Sequence, residues 1–253
     1  MFLFQPPPPT RYDLRFNLVG IPVRVHPLFW LIALLLGSFS GGILRLLIWV
    51  LVVFVSILIH ELGHALAMRR YGQSSQVILH MMGGLTVPEQ VSWGGGWANV
   101  ALSPSQEIFI SLAGPGAGFL FAGFVIGGVI VSGGSIIMGT LLGFIPMPAM
   151  VDLPIGGSIL SAFVVTLLWV NIFWGLINLM PVYPLDGGNV TRYMLLKADP
   201  RDGIRKSLWV SVIAGILVAI VGLVLLRSIY MAFLFGFLAF QSYQSLQSWA
   251  GRF

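Results

Sequence analysis

Ser56-Ile57-Leu58-Ile59-His60-Glu61-Leu62-Gly63-His64-Ala65 is the stretch on which the reading of this chain turns. A helix has 3.6 residues per turn, so positions i and i+4 lie one above the other on a single face. His60 and His64 then offer one ring nitrogen each to the same metal ion. Glu61 stands beside them, placed to act as the general base that activates water. This is the His-Glu-x-x-His pattern of zinc proteases. The residues before it, from Leu46 to Ile59, carry no charge. The pattern therefore sits at the end of a segment that belongs in lipid.

Working outward, the whole chain has that character. Of 253 residues, 57% are hydrophobic and 8% charged, against about 25% charged in an average soluble domain. A soluble core does not hide that much apolar surface, so the expected solvent is a bilayer. There is no cysteine. Disulfides, thiolate zinc sites and cysteine nucleophiles are excluded, and any metal must be held by His, Asp or Glu. The net charge of +5 fits basic residues that flank membrane spans and orient them. No nucleic-acid partner is expected.

The expected fold is an all-α polytopic membrane protein with about six transmembrane helices and a small interfacial or re-entrant β-hairpin. Six apolar segments run over about His26–Gly41, Ile43–Met68, Gln106–Val131, Ile155–Leu179, Ser207–Leu226 and Ser228–Ser248. The first is short for a span of ~20 residues. Residues 1–20, with Pro6-Pro7-Pro8-Pro9, read as a flexible proline-rich tail. Residues 21–253 read as one transmembrane domain, with a catalytic core at about 43–197, a hairpin at 76–89 and accessory helices within 207–248. With six spans and a cytoplasmic N-terminus, only Arg45 and Arg227 among the basic residues face outward, as the positive-inside rule requires. Both termini are then cytoplasmic and the expected location is the cell (inner) membrane. His60 follows Ile43 by about 26 Å of helix, which places the metal motif near the cytoplasmic side.

Val77-Ile78-Leu79-His80-Met81-Met82 and Leu85-Thr86-Val87 read as strands around a turn at Gly83-Gly84. Such a hairpin is either a structural interfacial loop or an edge for an extended substrate. On the second reading, Gly83, Gly84 and Leu85 contact substrate. Pro115, within Gly114-Pro115-Gly116-Ala117-Gly118, either kinks a packed helix or makes room for a substrate strand. His80, alone on its strand, is not expected to be a ligand. Trp93-Gly94-Gly95-Gly96-Trp97 reads as a flexible interfacial connector. The segment 132–154 reads as an extracytoplasmic loop or a re-entrant segment.

The fourth span ends in Asn178-Leu179-Met180-Pro181-Val182-Tyr183-Pro184-Leu185-Asp186-Gly187-Gly188. Pro181 and Pro184 break the helix, and Gly187-Gly188 is expected to free the backbone beyond. Asp186 is left next to the membrane, where a carboxylate is costly and functional, or serves as a cap for the next helix. Catalytic zinc takes three protein ligands and keeps one position open. His60, His64 and Asp186 supply three for one zinc ion per chain, with Glu61 as base. Asn178 either donates to the developing oxyanion or bonds a neighbouring helix. Asn171 reads as a packing contact.

These residues resemble the site-2 protease family of intramembrane zinc metalloproteases. The resemblance rests on His60-Glu61-Leu62-Gly63-His64, on Ala113-Gly114-Pro115, and on Asn178 through Pro181 and Pro184 to Leu185-Asp186-Gly187-Gly188. Val23-Arg24-Val25-His26-Pro27 is similar to short members. The resemblance implies a three-helix catalytic core, zinc on His60, His64 and Asp186, and cleavage of a transmembrane helix in a membrane-spanning substrate protein. The resemblance is to a short form, in which no PDZ domain is expected between the second and third spans and no CBS-type regulatory domain is expected after the sixth. Gly118 stands where members often carry Asn. The competing class is a non-proteolytic membrane protein, either a divalent-metal transporter or an inactive homologue that binds transmembrane helices.

Overall fold

The computed structural model describes residues 7–37, 41–88 and 101–250. Glu89 and the Trp93–Trp97 connector lie outside them. The order is β1 (Leu14–Leu18), β2 (Ile21–Val25), α1 (Pro27–Gly37), α2 (Ile43–Arg70), β3 (Ser75–His80), β4 (Gly83–Pro88), α3 (Pro104–Val131), β5 (Ser135–Leu141), β6 (Ile145–Asp152), α4 (Gly157–Asn178), α5 (Asp186–Ala198), α6 (Gly203–Val224) and α7 (Ile229–Ala250). The described residues are mainly helical, with two small sheets. Among the described residues, α2, α3, α4 and α6 are long and apolar enough to cross a membrane. The 28 residues of α2 rise about 42 Å, more than the ~30 Å hydrocarbon core, and Arg69 and Arg70 at its end are exposed. The 11 residues of α1 rise only about 16 Å.

The chain forms two compact units. The first, through Ala101 together with Gly116–Gly175, holds the larger sheet, in the order β1-β2-β3-β4. β2 and β3 run parallel because α1 and α2 supply the crossover that a parallel pair needs. In register, Val23 faces Val77 and Val77 faces Thr86, while Val25 faces Leu79 and Leu79 faces Gly84. Opposed residues share a face of a sheet. That face packs on α2: Ile21, Val23, Val25, Val77 and Leu79 form one core with Ile57, Leu58 and Ala65. Burying side chains of this size contributes about 1.5–3 kcal/mol each.

Two expectations change here. β1 lies in the stretch read as a flexible tail. It is held because Asp13 accepts from Arg24 Nη1 at 3.1 Å and from Thr10 Oγ1 at 2.6 Å, and Arg24 Nη2 donates to the Pro7 carbonyl at 2.8 Å. The β3–β4 turn falls at Met81-Met82, since His80 pairs with Gly83. Gly83 and Gly84 are therefore strand residues, and what they face explains their identity below. The segment 132–154 contains the antiparallel pair β5–β6. Ile136 and Val151, opposed in register, pack with Val129 of α3 and Val164 and Leu168 of α4. The next pair, Ile137 and Met150, is exposed.

The second unit is Leu102–Pro115 with the chain from Leu176 onward. Within it α5 packs on α6, and α6 on α7. Gly215 lets α6 approach α7 closely: a Cβ there would stand 3.0 Å from Ala239 Cβ. Small residues at such crossings are how helices pack tightly in lipid.

Candidate metal centre

The site is built first on α2. Its apolar run ends in His60, Glu61 and His64, all less than 9% exposed. The helical spacing brings His60 Nε2 and His64 Nε2 to 3.2 Å. Two nitrogens bound tetrahedrally at the usual 2.0–2.1 Å from zinc stand about 3.3 Å apart. The imidazole pair thus has the separation that a shared zinc ion requires. Among the described residues, one group of His and carboxylate side chains is disposed to hold a metal: the ligand atoms of His60, His64 and Asp186 lie within 4.8 Å of one another. Two imidazoles and a carboxylate, with no thiolate in the chain, are the donor set of a catalytic rather than a structural zinc site.

Asp186 owes its place to the end of α4. Pro181 and Pro184 prevent continuation of that helix, and α5 starts at Asp186 itself, with Leu185 as N-cap and no side-chain cap bond. Asp186 is thus the first residue of α5, one position past the N-cap. The role expected for Gly187-Gly188 changes. Both are buried inside the first turn of α5, and a Cβ on either would collide with backbone, of Leu179 for Gly187 and of Val182 and Tyr183 for Gly188. They permit close packing of the chain on itself rather than freeing it.

Glu61 is held by β4. Side chains alternate across a strand, so Gly84 and Thr86 share the face that meets α2. A Cβ at Gly84 would occupy the position of Glu61 Cγ and Oε1. Thr86 Oγ1 lies 2.8 Å from Glu61 Oε2 and 3.0 Å from the Glu61 carbonyl oxygen. Gly83, at φ +118°, backs onto the Trp174 ring, 3.3 Å from where its Cβ would be. Leu85 takes the opposite face of β4. Pro115 is fully buried inside α3, and Asn178, the last residue of α4, is buried. Asn171 makes the expected helix–helix contact, with Nδ2 donating to Ser56 Oγ at 2.8 Å.

The sequence reading missed Thr86. The signal was present: a hydroxyl among apolar strand residues, two positions from a glycine. Once Gly84 is known to face the base, period two puts Thr86 there also.

Comparison with known proteins bears on the same residues. The family model of peptidase family M50 matches residues 48–220, a span that contains both histidines, Glu61 and Asp186. A zinc metalloprotease of Methanocaldococcus jannaschii is 28% identical over 191 residues, covering 74% of this chain and 46% of its own length. This chain thus spans about half the length of that relative. The solved site-2 protease from Methanocaldococcus jannaschii has a similar fold, with a TM-score of 0.53 and 24% identity over 93% of this chain and 95% of that one. The chain belongs to peptidase family M50, the site-2 protease family of zinc metalloproteases.

Proposed function

We propose that this protein is an intramembrane zinc endopeptidase that hydrolyses a peptide bond within or near a transmembrane helix of a membrane-spanning substrate, in regulated proteolysis. The observation that carries this is the imidazole pair at zinc-binding separation directly beside a buried glutamate. His60, His64 and Asp186 hold the metal, a role supported by the proximity of their ligand atoms. Zinc, when bound, polarises the scissile carbonyl and lowers the pKa of water toward ~7. Glu61 takes the proton from the attacking water and later passes it to the leaving amine. Asn178 donates to the oxyanion. A helical backbone hides its carbonyls, so the substrate must unwind first. The strand β4 receives it through Gly83, Gly84 and Leu85, as an edge strand does, and Pro115 keeps space open in α3. Six spans with both termini cytoplasmic place this chemistry near the cytoplasmic face. That topology is supported by the basic residues, of which only Arg45 and Arg227 fall outside.

The test is metal analysis of purified protein combined with cleavage of a library of single-span helices in proteoliposomes. Glu61→Gln is expected to keep zinc and lose at least about 10³-fold in cleavage, within the range of general-base removal. Retained cleavage removes Glu61 from the base role. Asp186→Ala is expected to lower zinc occupancy, and unchanged zinc content removes it from the ligand set.

A further inference from the structure

The contact of Thr86 with Glu61 is not part of the metal-ligand set, and it joins two elements that are distant in sequence. We propose that Thr86 is a positioning residue for the general base: its hydroxyl fixes the Glu61 carboxylate in the one orientation that the pocket over Gly84 admits. This rests on Glu61 being the base.

A glutamate side chain has three rotatable bonds, and its own helix restricts only the first of them. β4 supplies the selection twice. Gly84 leaves a space that the Glu61 side chain fills, with Oε1 on that side. Thr86 then stands 2.8 Å from the other oxygen, Oε2. A hydroxyl is the donor here, because an ionised carboxylate only accepts. One bond to Thr86 leaves the carboxylate its other lone pairs to take a proton from water. The second acceptor within reach of Thr86, the Glu61 carbonyl at 3.0 Å, belongs to the same residue, so both possible bonds locate Glu61 and no other group. The register explains why a threonine works. Thr86 is opposed to Val77, whose side chain is buried in the core against α2. The Thr86 methyl can therefore share an apolar layer while the hydroxyl points at the base.

A plain structural staple between β4 and α2 would use the same atoms, and the two roles separate by experiment. Thr86→Val keeps shape and removes the donor, and Thr86→Ser keeps the donor and removes the methyl. Both are compared with wild type in proteoliposomes, using a single-span helix that the wild-type protein cleaves. The readouts are kcat, KM, zinc per chain and the thermal unfolding midpoint. Hydrogen bonds to charged groups are strong enough that losing one is expected to lower kcat about 10- to 100-fold. KM is expected within about twofold of wild type, with zinc content and midpoint unchanged. Thr86→Ser is expected within about threefold of wild-type kcat. Unchanged kcat in Thr86→Val overturns the proposal. So does a fall in kcat accompanied by loss of zinc and a lowered midpoint, or one that Thr86→Ser fails to restore. Failure of the base assignment itself reads out separately, as cleavage by Glu61→Gln.

Discussion

Among the described residues two antiparallel hairpins are set between helices, β3–β4 and β5–β6, and they are built for different surroundings. Both are rich in Ile, Leu, Val and Met, and both lean one face on helices. On β3–β4 the helix-facing positions of the second strand are Gly84 and Thr86, and the residue they meet is Glu61. On β5–β6 the helix-facing pair is Ile136 and Val151, which packs in an apolar cluster with Val129, Val164 and Leu168. A hairpin becomes part of a site through two side chains of one strand face, not through its overall hydropathy. The neighbouring helix decides which two.

That contrast is open to attack with matched substitutions. Gly84→Ala is expected to have the largest effect, because the added Cβ falls on Glu61 and displacing a reacting group by about 1 Å can cost 10²-fold. Zinc content should be retained, and cleavage near wild type would break the contrast outright. The counterpart Gly139→Ala on β5 brings a Cβ to 3.2 Å from Ala149 Cβ, which small local shifts absorb. Cleavage within about twofold of wild type is the expected result. Thr140→Val, on exposed β5, is expected to leave kcat unchanged, in contrast to Thr86→Val. A tenfold loss there would show that the second hairpin also serves the chemistry.

The smallest expected effect is on acid stability. The carboxyl of Asp13 is shielded from water. Burial alone would raise its pKa, but the Thr10 hydrogen bonds and the Arg24 guanidinium outweigh that and bring it down to about 2. A carboxylate held below its unfolded value stabilises the fold above that value, near 3.8, and the stabilisation fades as the pH falls toward 2. Protection of the β1 amides, taken relative to intrinsic exchange at each pH, is therefore expected to fall between about pH 4 and pH 2, while protection in β5–β6 stays level over the same window. An equal loss of protection in β1 and in β5–β6 would deny Asp13 this role.

Helical spacing, composition and proline placement determined a good deal without coordinates. His60 and His64 had to share a face, Asp186 had to follow a helix break, and a chain with 8% charge had to live in lipid, because each of these follows from local geometry or from transfer free energy along the chain. Gly83-Gly84 looked like a turn for the same local reason, and β1 looked like a tail. Only the tertiary structure could correct them. The register that moves the turn to Met81-Met82 is set by which strand face packs on α2, and the ordering of β1 by an Arg24–Asp13 contact across strands. The tie between Thr86 and Glu61 spans 25 positions of sequence. Contacts of that kind depend on how separate elements dock, and no periodicity within either element encodes them.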